Sequence, residues 1–262
     1  MNDKKKLNGD EFKDFWQDNL TGRQKITRLE KAFRVLKKVG DDQVNILSKY
    51  EKSSTEKHVG FIYFINTVKD VWEKANFAID LGKGKNKKYA FYPVRSAMEN
   101  LFRLEYYINK KRDGQNEIAE REVMRIAKLE YDMDMANGED GEEMRKYYET
   151  VAVDSKYPKI ENKEAKLDIF PNMWELMQNS RMQNAKRFYY FYQTLCELTH
   201  SKLLAGIITK ANEQDEYRRS ITYLLLICRE LIKITDCHIQ NPTKDTVKSA
   251  IEQSELIIKQ EI

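Results

Sequence analysis

The chain has 262 residues, with 46 Lys and Arg against 42 Asp and Glu for a net charge of +4. Its length can bury a sizeable core without help from a metal or disulfides, and so small a charge excess selects no particular class of partner. Only 4 Pro and 10 Gly occur beside 34% charged and 41% hydrophobic residues, a composition that favours long helices and disfavours a β-sandwich or a glycine-rich nucleotide-binding fold.

The opening MNDKKKLNGDEF has no apolar stretch of the signal-peptide kind, and no apolar run approaches the roughly 20 residues that cross a bilayer. A cytoplasmic protein with no membrane segment is expected. Capping boxes, in which a short polar side chain and an acid or amide three residues on answer each other's amides, occur at Asn8 and Glu11, Thr21 and Gln24, Ser53 and Glu56, and Asp140 and Glu143. They predict helices at about 9–19 and 22–39, then an apolar helix at about 55–81. In that third helix Phe61, Ile62, Ile65, Val68, Trp72, Ala75 and Ala78 recur at helical spacing, and Phe64, Val71 and Phe77 widen the stripe, which predicts a central position.

Gly82 to Lys88, GKGKNKK, then breaks the helix as a basic loop leading into Tyr89, Phe91 and Tyr92. Pro93 suits the first turn of a helix at about 93–111. Another begins near Asn116 with Ile126, Leu129 and Met133 as its apolar positions, until Asn137-Gly138 turns the chain and Asp140 restarts a helix toward Val153. Residues from about 154 to 169, which include Pro158, show no period and predict a solvated connection. After Pro171 come a short helix with Trp174 and Met177, an aromatic helix at about 184–203, and the clearest amphipathic helix, with Ile221, Leu224, Leu225, Cys228, Leu231 and Ile232 on one stripe. Asn241-Pro242 precedes a polar helix with Val247, Ile251, Leu256 and Ile257, which is expected to dock on the bundle or on a second subunit.

Together these elements predict an all-α helical bundle with a long apolar central helix. Its parts are an N-terminal helical appendage at about 1–52, a bundle core at about 53–240 and a C-terminal helix at about 241–262. Cys196, Cys228 and Cys237 are odd in number and form no C-x-x-C pair, so they read as buried thiols rather than a disulfide frame or a zinc site. The acids Glu120, Glu122, Glu130, Asp132 and Asp134 suggest a ferritin-like metal centre only if Glu-x-x-His motifs on two helices accompany them, and the sequence has one such stretch, Glu197 with His200, and no second. Neither a metal nor a cofactor is expected.

Two helices carry polar residues that packing does not require. In PVRSAMENLFRLEYYINKK, Arg95 and Glu99 are four apart and share a face with Phe102 and Tyr106. In KRFYYFYQTLCELTHSK, His200 shares a face with Tyr189, Gln193 and Cys196. One reading makes the first an exposed ion pair worth about 0.2–0.5 kcal/mol and the second a histidine at a helix end; the other makes them parts of a site. Lys83, Lys85, Lys87 and Lys88, ahead of the aromatic cluster, suit phosphate contacts with stacked bases, or else form an ordinary solvated loop with the aromatics packed inward.

Arg95-Ser96-Ala97-Met98-Glu99, followed by Tyr192-Gln193-Thr194-Leu195-Cys196-Glu197-Leu198-Thr199-His200-Ser201, resembles a bacterial helical family, domain-of-unknown-function family 5677. The likeness spans about 55–240 and implies a bundle in which Arg95, Glu99 and His200 come together. A more distant similarity is to the HEPN group, many of whose members are ribonucleases or parts of defence systems. Its usual arginine four to six residues before a histidine is absent, since Arg187 precedes His200 by 13 residues and Arg229 precedes His238 by 9; Arg95 would stand in. The resemblance implies an RNA-directed or defence-associated protein with metal-independent ribonuclease activity, working as a homodimer. In it His200 would move protons, Arg95 would steady phosphate charge and Glu99 would orient either. The alternative is a non-enzymatic helical interaction module whose polar residues fasten helices together.

Overall fold

The computed structural model describes residues 22–53, 59–112, 117–151, 158–162, 170–200, 213–239 and 244–261; the predicted helix at about 9–19 and the capping boxes beginning at Asn8 and Thr21 lie outside them. Within the described residues the chain is all helical, with no strand.

Helix α1 (Gly22–Ser53) buries Ile26, Leu29, Phe33, Leu36, Val39, Gln43 and Leu47 at three- and four-residue steps. It does not stop near Gly40 as the sequence predicts. A Cβ at Gly40 would lie 2.1 Å from the Trp72 indole, so the glycine admits a close helix crossing rather than ending a helix. Helix α2 (Val59–Lys83) buries Ile65, Val68, Val71, Trp72, Ala75 and Ala78, while Phe77 is exposed and does not widen the stripe. It runs through Gly82, where the Tyr217 ring fills the space a side chain would take. A single 3₁₀ turn (Lys87–Tyr89) leads into α3 (Phe91–Arg112), whose Val94, Ala97, Met98, Leu101 and Leu104 are inaccessible to solvent.

Helices α4 (Glu117–Ala136) and α5 (Glu142–Val151) form a hairpin, the Glu142 amide donating to Asp140 Oδ1 at 3.1 Å. Ile126, Leu129 and Met133, the apolar positions that define α4 in the sequence, are exposed; Met124 and Ala127 face inward to Tyr148. Of the predicted solvated connection, residues 158–162 are described: Lys159, Glu161 and Asn162 are exposed, but the stretch is anchored at its middle. Ile160 is buried in that same small cluster, Tyr148 Oη donates to the Pro158 carbonyl at 2.7 Å, and Lys128 Nζ donates to the Ile160 carbonyl at 3.0 Å.

Helix α6 (Met173–Gln178) starts on Asn172, whose side chain accepts from the Glu175 amide at 3.0 Å. Then come α7 (Ala185–His200), α8 (Glu213–Asp236) and α9 (Lys244–Glu261). Helix α8 is buried continuously from Leu224 to Ile232 and packs against α1, α2, α3 and α9, each fully buried Leu or Ile contributing about 1.5–3 kcal/mol. Helix α9 docks on the bundle, against α1 and α8, through Val247 and Ala250. Arg229, inaccessible on α8, bonds Glu230 at 2.9 Å and reaches Glu255 of α9 at 3.3 Å. No described helix is long and apolar enough to cross a membrane.

Candidate functional site

Helices α3 and α7 pack antiparallel, with aromatic and polar residues on the contact face. Phe102 meets Phe188 edge-on with ring centroids 6.2 Å apart. One turn back along α3 and one turn on along α7, Glu99 interacts with Tyr192; a further turn brings Arg95 to Tyr192 and Cys196. Arg95 Nε bonds Glu99 Oε1 at 3.2 Å, and the guanidinium carbon lies 5.4 Å from the Tyr192 ring centroid.

The Arg95 and Glu99 side chains keep 22% and 23% of their exposure, so this is a pair set into a helix contact with one side open. Burial opposes the charge on Arg95, but Cys196, the Tyr192 hydroxyl and Glu99 outweigh it and raise the arginine's pKa. The Tyr192 hydroxyl is pushed well above the ordinary tyrosine range by burial, then by Cys196 and Glu99. It therefore stays a protonated donor. Chemically the cluster sets a fixed cation and a neutral phenol beside one carboxylate, with the Cys196 sulfur against the cation.

His200 is the last residue of α7, one turn beyond Cys196, and its side chain lies outside the described residues. The contact between α3 and α7, from Phe102 with Phe188 to Arg95 with Cys196, runs toward the N-terminal end of α3. At that end of α3 lies the basic loop. Lys83 is exposed and pairs with Asp80 at 2.6 Å, Lys85 is exposed, Lys87 is half-buried, and the Lys88 side chain lies outside the described residues. Tyr89 and Tyr92 are both exposed, with ring centroids 6.2 Å apart and planes inclined by 27°, and Phe91 lies against Tyr92 at 4.2 Å.

Sequence spacing finds the Arg95 and Glu99 pair and puts Cys196 on the His200 face, but it misses Tyr192, whose role exists only through the packing of helices nearly a hundred residues apart. It also misses Glu105, a buried acid on α3 that accepts from Ser180 Oγ at 2.5 Å and from the Arg181 amide at 2.7 Å. The signal available was an acid among apolar neighbours in LFRLEYYI.

Among the described residues no three His, Cys, Asp or Glu side chains are grouped to hold a metal ion. Glu122 is bonded to Arg125 and Asp132 to Lys128, at 2.7 and 3.1 Å. Of the three cysteines, Cys228 is buried, Cys196 half-buried and Cys237 exposed, and all are free thiols. Burial pushes the Cys228 thiol far above its ordinary pKa, which leaves it an inert packing group. No protein-family model, curated protein or solved structure matches the chain.

Proposed function

We propose that the chain is an RNA-directed, metal-independent ribonuclease whose reaction centre lies where α3 meets α7. What supports this most is one observation: a partly open guanidinium, Arg95, is seated in the contact between α3 and α7, near the start of the helix that the exposed Tyr89 and Tyr92 of the basic loop lead into. The likeness to domain-of-unknown-function family 5677 supplies the expected grouping of Arg95, Glu99 and His200, and the more distant one to HEPN ribonucleases supplies the reaction class; the resemblance also carries the expectation of a homodimer. In this reading α2 is the central apolar helix on which α3 is seated.

The chemistry is proton transfer plus charge stabilisation. His200 takes the proton of a ribose 2′-hydroxyl as that oxygen attacks the adjacent phosphorus; the bond from phosphorus to the 5′-oxygen breaks, and the leaving oxygen gains a proton. The products are a 2′,3′-cyclic phosphate and a 5′-hydroxyl. Arg95 donates to the non-bridging oxygens while Glu99 and Tyr192 fix its direction. Lys83, Lys85, Lys87 and Lys88 hold flanking phosphates, and Tyr89 and Tyr92 offer faces for base stacking.

Total RNA incubated with the purified chain in a chelator tests this. Cleavage by the wild type, reduced about 100-fold or more in His200→Ala and Arg95→Ala, is expected. No cleavage, or equal cleavage by all three proteins, overturns it. A second reading, a non-enzymatic interaction module, rests on Arg95 being already engaged by Glu99 and Tyr192, an arrangement that fastens two helices without chemistry. It expects Arg95→Ala to lower thermal stability while no RNA is cleaved by any variant.

A further inference from the structure

A cavity of about 430 Å³ opens between α2, α3, α4 and α5, bordered on α3 by Asn100 and Arg103 rather than by the Arg95 and Glu99 face. Its charges are unequally satisfied. Asp70 accepts from the Asn100 amide and from Lys74 Nζ, the latter at 2.5 Å. Glu122, almost wholly buried, takes two bonds of 2.7 Å from Arg125. Each acid thus has its own cation. Arg103 is the remaining cation: half-buried, its guanidinium carbon 5.6 Å from the Phe170 ring centroid, it has no carboxylate within ion-pair distance among the described residues.

The lining therefore carries one more positive than negative charge, from Lys74, Arg103 and Arg125 against Asp70 and Glu122. A guanidinium whose one face is covered by an aromatic ring keeps its planar edge of N–H donors for an oxyanion. A second feature points the same way. Ile126 and Tyr147 border the cavity yet are 44% and 48% exposed, an apolar rim that solvent covers at a cost and a ligand body would cover with gain. The volume suits a molecule of one or two rings, within the range of about 300–1,000 Å³ typical of small-molecule sites.

We propose that this cavity binds a small organic anion, its flat apolar body laid on Ile126 and Tyr147 and its carboxylate or phosphate held by the Arg103 fork. The Tyr63 hydroxyl, which burial and Glu122 keep protonated, stands in the same lining as a further donor. The site does not depend on the ribonuclease reading, since it shares none of that centre's residues.

Calorimetric titration of the full chain with two probes tests it: indole-3-acetate for a carboxylate, adenosine 5′-monophosphate for a phosphate. One of them is expected to bind saturably with a submillimolar dissociation constant, weakened about tenfold or more in Arg103→Gln, a loss in keeping with one charge-assisted pair. Ile126→Ser, at an exposed position that leaves the core intact, is expected to weaken the same probe several-fold, and thermal melts of both variants confirm folding. Which probe binds identifies the anion class. If neither probe binds below about 10 mM, or if both variants titrate like the wild type, the site is refuted.

Discussion

Glu105 carries the clearest consequence of any single side chain in the fold. It holds the segment between α6 and α7 by accepting from Ser180 and the Arg181 amide, yet burial raises its pKa, the raising effect outweighing those bonds. An acid whose folded pKa exceeds its unfolded one binds more protons when folded, so its contribution to stability falls as pH rises between the two values and then levels off. Chemical denaturation of wild type and Glu105→Gln across the acid range checks this: the wild-type advantage is expected to shrink as pH climbs above 4.5, the ordinary value for this side chain. A pH-independent difference would contradict it. The sequence showed the Arg95 and Glu99 pair because both sit on one helix, where spacing alone fixes distance. It could not show Tyr192 beside Arg95, or Ser180 beside Glu105, because those pairings depend on which helices pack and at what register.

At the scale of the element, helix existence was legible almost throughout, since apolar periods of 3.6 residues leave a direct mark, whereas the meaning of glycine was not. Gly40 and Gly82 resemble helix stops in sequence, and both lie within helices where an aromatic ring from another helix comes too near for a side chain. For Gly40→Ala two effects oppose each other. Helix propensity favours alanine by about 1 kcal/mol, but a methyl 2.1 Å from the Trp72 indole must displace the ring or the helix, and overpacking of this kind costs typically 1–3 kcal/mol, sometimes more. The overlap is with rigid ring atoms, so the steric effect wins. A net loss of about 1 kcal/mol or more is expected in urea denaturation, and a gain in stability would show that α1 and α2 separate easily. Helix α4 shows a related ambiguity: Ile126, Leu129 and Met133 have the period of a buried stripe, yet the face that packs on Tyr148 and Ile160 is the one with Met124 and Ala127. Periodicity identifies a helix without stating which face its neighbours take.

Across the whole molecule, apolar contacts divide unequally. One large cluster joins α1, α2, α3, α6, α7, α8 and α9, and Arg229 adds a polar tie from α8 to Glu255 of α9. The α4–α5 hairpin closes instead over a cluster of four buried residues, Met124, Ala127, Tyr148 and Ile160. Its link to the remainder passes through Ile118, which joins the large cluster, and through the polar lining around Glu122 and Asp70. Local opening costs what the broken contacts supply, so a segment with a small core of its own opens below the global unfolding free energy. Amides of Glu142–Val151 are therefore expected to exchange with solvent hydrogen markedly faster than those of residues 221–232, where α8 is buried along its length. Met124→Ala sharpens the comparison. Loss of a buried Met side chain costs about 2–5 kcal/mol, and if the hairpin is a separate cooperative unit the lost protection should appear in α4 and α5 while α8 keeps its wild-type rate. Equal acceleration in α8 would mean that the hairpin and the bundle unfold as one, and that the cavity between them is as rigid as the core.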